Sequence, residues 1–336
     1  MGAAVNLIRQ KDSARQEAPA SALPNFFIVG APKAGTTSLY HWLSTHRDVY
    51  MSPVKEPSYF SQETRLENFA ARFQPMVRKQ MAAVLAGLNR GELARNETRG
   101  IVAEWHDYVR LFSGVSGQKA IGEASVFYLW SQTAARAIAR HLPGSHILMV
   151  LRDPAERVFS QYLHFSSFGH SSLPFPRYLK MCLGTYREIN PYYPALELGF
   201  YARQVERYLE AFPARQIRIW LYEDTISDPA RFHREVLEFL EIDPEGASEI
   251  AQRHFEVPVP THPGMTHTLR RLGLYGFVRN LLPGRLRARM RPAFYRSRRA
   301  VSLPAEERAF LVDYYKADVS RLERLIGRDL SAWKRV

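Results

Sequence analysis

Residues Gly30 to Ser38 read Gly-Ala-Pro-Lys-Ala-Gly-Thr-Thr-Ser, directly after the apolar run Phe26-Phe27-Ile28-Val29. A loop joining a strand to a helix aims backbone N–H groups and the positive helix end at one point, which suits a bound anion. Gly35 lets the main chain approach that anion closely, and Lys33 adds a full positive charge. A second segment, Arg152-Asp153-Pro154-Ala155-Glu156-Arg157-Val158-Phe159-Ser160-Gln161-Tyr162, follows the apolar run His146 to Leu151. Arg152 leaves the carboxyl end of a predicted strand, where open α/β sheets bind ligands. Pro154 suits the first position of a helix. Ser160, six residues further on, is carried by the first turns of that helix towards the same crevice. Arg152 and Ser160 would grip a second anion through one charge-assisted hydrogen bond and one neutral one. Ordinary structure offers alternatives: glycines that merely permit a turn, and an Arg152 that pairs with Asp153 or Glu156.

The first loop resembles the GxxxxGK[ST] phosphate loop, with one departure. Thr36 stands where the nucleoside-triphosphate loop has its lysine, and the lysine lies three places earlier, at Lys33. Such a loop would hold a shorter, differently placed anion than a β/γ-phosphate beside Mg²⁺. The sequence shows no acidic strand end of the Walker-B kind and no clustered His/Asp ligands, so no metal is expected.

The elements that must position these residues follow from periodicity. Buried strands are predicted at Phe26 to Val29, Lys119 to Gly122, His146 to Leu151 and Gln216 to Leu221. Helices are predicted after Gly35 and at Ser131 to His141, Pro154 to Phe165, Tyr201 to Phe212, Pro229 to Leu240 and Ala305 to Ile326, the last capped by Gly327. Strands alternating with helices imply an α/β fold, a P-loop-like three-layer sandwich with a central, mostly parallel sheet flanked by helices. Residues 1–24 are polar and lack an apolar period, which predicts a disordered tail; residues 25–336 read as a single domain.

Composition narrows the partners. The chain has 336 residues and a formal net charge of +13, and only eight of its 46 basic residues are lysine. Arginine forks suit oxyanions, so anionic ligands are expected. The lone cysteine, Cys182, excludes an internal disulfide and a Cys-rich zinc site. No apolar run approaches membrane-spanning length, and the expected location is cytoplasmic.

With both anion segments in hand, GAPKAGTTSLYHWL resembles the 5′-phosphosulfate loop of sulfotransferases that use 3′-phosphoadenosine 5′-phosphosulfate (PAPS), and LRDPAERVFSQY is similar to their 3′-phosphate motif. The resemblance continues through Lys55-Glu56-Pro57-Ser58-Tyr59-Phe60, Ile121-Gly122-Glu123-Ala124-Ser125, Tyr222-Glu223-Asp224 with Asp228-Pro229, and Gly327 to Trp333, and so covers about residues 25–335. The KEPSYF segment is similar to the bacterial and heparan-type branch. Val126 departs from the pattern, standing where proline is expected after Gly-Glu-x-Ser.

The resemblance implies roles. Lys33 would contact the bridging oxygen and sulfuryl group, and the amides of Ala34, Gly35, Thr36 and Thr37 the 5′-phosphate. Arg152 and Ser160 would bind the 3′-phosphate, the product being 3′,5′-bisphosphoadenosine. Glu56 matches the general base of the heparan-type enzymes, although by itself it reads equally as a loop glutamate paired with Lys55. Glu123, after a predicted strand, is a second carboxylate candidate, either acceptor-orienting or the base. His164, one turn past Ser160, is a third. The implied reaction moves a sulfuryl group to a hydroxyl of a glycan, glycolipid or small-molecule acceptor, whose pocket is expected in the loops Ser61 to Leu111 and Ser166 to Leu198.

Between Val257 and Ala305 there is no Asp or Glu, but ten arginines. This basic segment fits a cover for the nucleotide or acceptor, peripheral contact with an anionic membrane, or a solvated helix face. It does not fit a nucleic-acid platform, because stacking aromatics are not interleaved. Two rival functions follow from the same loops: a P-loop kinase or NTPase, and a non-catalytic protein that binds a nucleotide or an anionic membrane.

Overall fold

Phe26, Phe27, Ile28 and Val29 have no exposed surface. Burying four such side chains favours folding by roughly 1.5–3 kcal/mol each, and they form the middle strand of the molecule. The computed structural model describes residues 23–69, 71, 73–93, 98–167, 173–184, 194–244, 259–260, 295–296 and 301–336. The expected tail as far as residue 22, and most of the 257–305 segment, lie outside the described residues.

The strands are β1 (Phe26–Gly30), β2 (Val49–Met51), β3 (Val54–Lys55), β4 (Thr98–Arg99), β5 (Ala120–Ala124), β6 (His146–Leu151), β7 (Ile217–Leu221) and a short antiparallel pair, β8 (Val259–Pro260) and β9 (Tyr295–Arg296). Five of them form one sheet in the order β2-β5-β1-β6-β7, with every neighbouring pair parallel. β3 pairs with β4 outside it. The helices are α1 (Thr36–Leu43), α2 (Gln74–Arg90), α3 (Trp105–Arg110), α4 (Ala134–His141), α5 (Pro154–Ser167), α6 (Phe175–Leu183), α7 (Tyr201–Ala211), α8 (Tyr222–Ser227), α9 (Pro229–Phe239) and α10 (Ala305–Ile326).

Both faces of the sheet are covered. Phe27 packs on Phe60 and Tyr128, and the Tyr128 carbonyl accepts from Tyr208 of α7 at 2.8 Å. α4 and α10 pack on α7, and α10 also packs on α5. Side chains of opposite parity point the other way. His146, level with Phe26, and Trp220 meet Phe239 of α9, while Trp42 of α1 stacks on His233 of α9 at 4.0 Å. This is the three-layer arrangement expected from the sequence, with β6 and α10 at their predicted bounds.

Three differences matter for function. The strand expected at 119–122 runs to Ala124, so Glu123 lies within β5 rather than after it. The first expected acceptor loop contains α2 and α3, and the second contains α6. α2 escaped notice because only Val77, Val84 and Gly87 of its 17 residues are buried, too thin a stripe to read as a period.

Candidate active site

β5, β1 and β6 are adjacent and parallel, with Ala124, Ile28 and Leu148 in register. Their carboxyl ends therefore open on one edge. Neighbouring strands are ~4.8 Å apart, so the three ends span roughly 10 Å, and the segments singled out from the sequence leave from them.

The first loop leaves β1. Ser125 N–H donates to Ile28 O at 3.1 Å and Leu129 N–H to Val29 O at 2.9 Å, fastening the turn after β5 to the end of β1. A Cβ on Gly30 would lie 2.8 Å from Leu129 Cβ, so only glycine fits there. Val126, the departure from the motif, is buried in this turn. Lys33 (φ 68°) and Gly35 (φ 87°) are both left-handed. For lysine that conformation costs roughly 1–2 kcal/mol. Gly35 caps the start of α1, and a Cβ there would lie 3.3 Å from the Tyr222 ring. The Ala34 N–H closes the turn on Ala31 O at 3.2 Å, whereas the amides of Thr36 and Thr37, in the first turn of α1, have no acceptor within the helix. The loop thus presents half-buried Lys33 and the α1 amides at one place.

The second segment leaves β6 and meets the first. Arg152 Nη1 donates to Lys33 O at 3.1 Å, and its guanidinium lies 4.6 Å from the centre of the Tyr222 ring. The ion pair with Glu156 also forms, at 3.3 Å. Arg152 is therefore a partly buried ion-pair partner of Glu156 and a bridge between the two loops at once. Asp153 Oδ1 accepts from the amides of Ala155 (2.8 Å) and Glu156 (3.3 Å), capping α5. Its other oxygen pairs with Arg308 of α10 at 3.1 Å. Burial pushes the Asp153 carboxyl up despite that arginine. Glu223 accepts from the Asp153 N–H at 3.3 Å, and burial raises it too. Ser160 is half-buried in the second turn of α5; His164, half-buried one turn on, has its ring beside Phe165.

The carboxylates part company. Glu56 (φ 66°) follows β3, and its N–H donates to Ala124 O at 2.9 Å, which hangs it on the end of β5. Lys55, 2% exposed, donates to Glu56 Oε1 at 2.6 Å and fixes that carboxylate. The Ser58 N–H donates to Ser125 Oγ at 3.0 Å, tying the KEPSYF turn to the β5 turn. Glu123 is wholly buried among the Tyr108, Ser125 and Tyr128 hydroxyls, with no well-formed hydrogen bond to either oxygen. Burial pushes its carboxyl up to about 7, against the pull of the Tyr108, Ser125 and Tyr128 hydroxyls. Glu123 thus has no surface open to solvent, in contrast to Glu56.

A cavity of about 250 Å³ opens where the chain continues from Glu56, lined by Ser58, Tyr59, Arg65, Met81, Val102 and Glu104 among others but not by Glu56 itself. Apart from Ser58 and Tyr59, its lining falls within the first expected acceptor segment. No group of three or more His, Cys, Asp or Glu side chains converges as metal ligands among the described residues, and none of the described helices is long and apolar enough to cross a membrane. Sequence reasoning gave no role to Tyr222, Glu223 or Arg308. The first two lie in the Tyr-Glu-Asp segment that carried part of the resemblance; Arg308, in an exposed-looking Glu-Glu-Arg run, carried no signal.

A model of the sulfotransferase family matches residues 24–245. The chain belongs to the sulfotransferase family. This sulfotransferase is 30% identical to a solved sulfotransferase from Alicyclobacillus acidocaldarius, over 94% of its own length and 100% of the other, with a TM-score of 0.67. It is similar to human carbohydrate sulfotransferase 15, at 27% identity over 66% of its length and 44% of that protein. It is also similar to mouse bifunctional heparan sulfate N-deacetylase/N-sulfotransferase 4, at 26% identity over 97% of its length and 33% of that protein. The chain thus spans less than half of each of these two relatives. Membership in this family displaces the kinase and NTPase alternative.

Proposed function

We propose that this sulfotransferase moves the sulfuryl group of PAPS to a hydroxyl of a glycan, glycolipid or small-molecule acceptor. The observation that carries the reading is the hydrogen bond from Arg152 to the Lys33 carbonyl, which brings the two candidate anion-binding segments together. A nucleotide with phosphate groups at both ends of its ribose answers that arrangement. The tight seat at Gly35, where even a Cβ would press on Tyr222, fits a backbone cradle for the 5′-phosphate. When bound, PAPS supplies an activated sulfuryl group carrying one negative charge.

The chain's own residues do the rest. Lys33 and the first amides of α1, including Thr36 and Thr37, offset the charge that develops on the leaving phosphate, and Arg152 with Ser160 anchors the far phosphate. Sulfuryl transfer resembles phosphoryl transfer, in-line and loose, so positioning and charge stabilisation dominate. Glu56, held by Lys55, takes the proton of the acceptor hydroxyl, worth ~10²–10⁴-fold. The acceptor enters from the cavity beside Ser58 and Tyr59, whose mixture of rings, hydroxyls and charges suits a polar ring such as a sugar. Glu123, wholly buried, supports the site without touching the reacting atoms. No metal takes part in this reading, and a cytoplasmic location rests on the lone, buried Cys182.

The test is transfer of radiolabelled sulfate from PAPS, in the presence of a chelator, to a panel of glycans, glycolipids and small alcohols. Label is expected on at least one hydroxyl acceptor, with Lys33→Ala lowering the rate by at least about 100-fold. Undiminished turnover by Lys33→Ala would overturn the reading.

A further inference from the structure

We propose that Arg308 is a positioning residue that gives the second anion site its preference for a ribose 3′-phosphate, by taking Glu156 from Arg152 when the phosphate arrives. The proposal rests on the nucleotide reading above.

Arg152 points into the crevice already paired with Glu156 at 3.3 Å. A phosphate dianion approaching Arg152 therefore meets a carboxylate that holds the same guanidinium and repels the newcomer. The site accommodates the phosphate only if Glu156 has somewhere else to go. Arg308, in the first turn of α10, lies 4.0 Å from the other oxygen of Glu156 and 3.1 Å from Asp153 Oδ2. Two cations and two carboxylates thus alternate around the start of α5, and Glu156 stands between two arginines. Swinging fully to Arg308 releases Arg152 to the phosphate. The bond from Arg308 to Asp153 meanwhile keeps its guanidinium in reach, since Asp153 is itself fixed to the amides of Ala155 and Glu156. The Arg308 and Asp153 side chains are 22% and 7% exposed, so solvent screens this pair less than an open surface pair. Arg308 belongs to a helix more than 140 residues away in sequence and makes no part of either phosphate motif, which is why sequence reading passed it by.

The test is calorimetric titration of the full chain with 3′,5′-bisphosphoadenosine and, separately, with adenosine 5′-monophosphate. Arg308→Ala should weaken the bisphosphate by about tenfold or more and leave the monophosphate unchanged, with Arg308→Lys recovering part of the loss. In a Glu156→Gln background, where no carboxylate competes for Arg152, the Arg308→Ala loss should shrink to about twofold or less. Equal losses for both nucleotides would reveal a merely structural residue and overturn the proposal. So would wild-type bisphosphate affinity in Arg308→Ala, or a loss undiminished by Glu156→Gln. If thermal melts show Arg308→Ala unfolded, Glu156→Gln alone decides: tighter bisphosphate binding with unchanged monophosphate binding is expected, and no gain overturns. A wild-type protein that binds neither nucleotide would instead bring down the donor reading, and this proposal with it.

Discussion

Glu56 and Glu123 are two carboxylates near the end of one strand whose environments separate their duties. Glu56 is partly open to solvent and held by the buried Lys55; Glu123 has no exposed surface and no well-formed hydrogen bond. Replacing Glu56 by Gln should lower kcat by ~10²–10⁴-fold while leaving affinity for 3′,5′-bisphosphoadenosine unchanged, measured by transfer kinetics and calorimetry side by side. Glu123 should show itself in stability. Its folded-state carboxyl titrates at about 7, above the ordinary value of 4.5. The unfolded chain ionises it more readily, so its favourable contribution is complete below pH 4.5 and is lost as pH rises through 7. Above that, keeping it ionised and buried costs on the order of 3 kcal/mol. Glu123→Gln should therefore raise the urea midpoint at pH 8 much more than at pH 5; an equal effect at both would show that the carboxyl does not titrate in this range.

At the scale of elements, loops at the strand ends set the site and helix caps hold the loops. Gly35→Ala puts a Cβ 3.3 Å from the Tyr222 ring at a left-handed φ of 87°. It should cost roughly 1–2 kcal/mol of stability and weaken 5′-phosphate binding, read by urea melts and by titration with adenosine 5′-monophosphate. Asp228 caps α9 by accepting from the Arg231 N–H at 2.9 Å, and Asp228→Ala should cost about 1 kcal/mol with no change in nucleotide affinity. These local devices were largely readable beforehand. Pro154 and Pro229 open helices, Gly327 closes one, and the apolar runs of β1 and β6 can only be buried strands. What escaped were β2, β3, β4, α3 and α8, too short to show a period, α2, too sparsely apolar, α6, whose buried Phe175, Tyr178, Leu179 and Cys182 keep a helical period inside a stretch read as a loop, and the extension of β5 that turned Glu123 inwards. The two anion loops were legible because each places a charged residue and a small or hydroxyl residue at fixed offsets. Tyr222 and Arg308 were not, because their importance lies in contacts between elements distant in sequence.

At the scale of the molecule, a parallel sheet with its central strand flanked by β5 and β6 brings three loops to one edge, and the formal charge of +13 biases the whole surface towards anions. A ligand gripped at both loops should stabilise the folded chain by about 2.7 kcal/mol when present at 100 times its dissociation constant, seen as a rise in the melting temperature. The most direct measurement compares 3′,5′-bisphosphoadenosine with adenosine 5′-monophosphate and adenosine 3′-monophosphate by calorimetry in the presence of a chelator. One molecule of the bisphosphate per chain should bind at least about 100-fold more tightly than either monophosphate, with Lys33→Ala and Arg152→Ala each removing much of that advantage. Equal affinity for all three nucleotides, or binding that Arg152→Ala leaves untouched, would contradict the account.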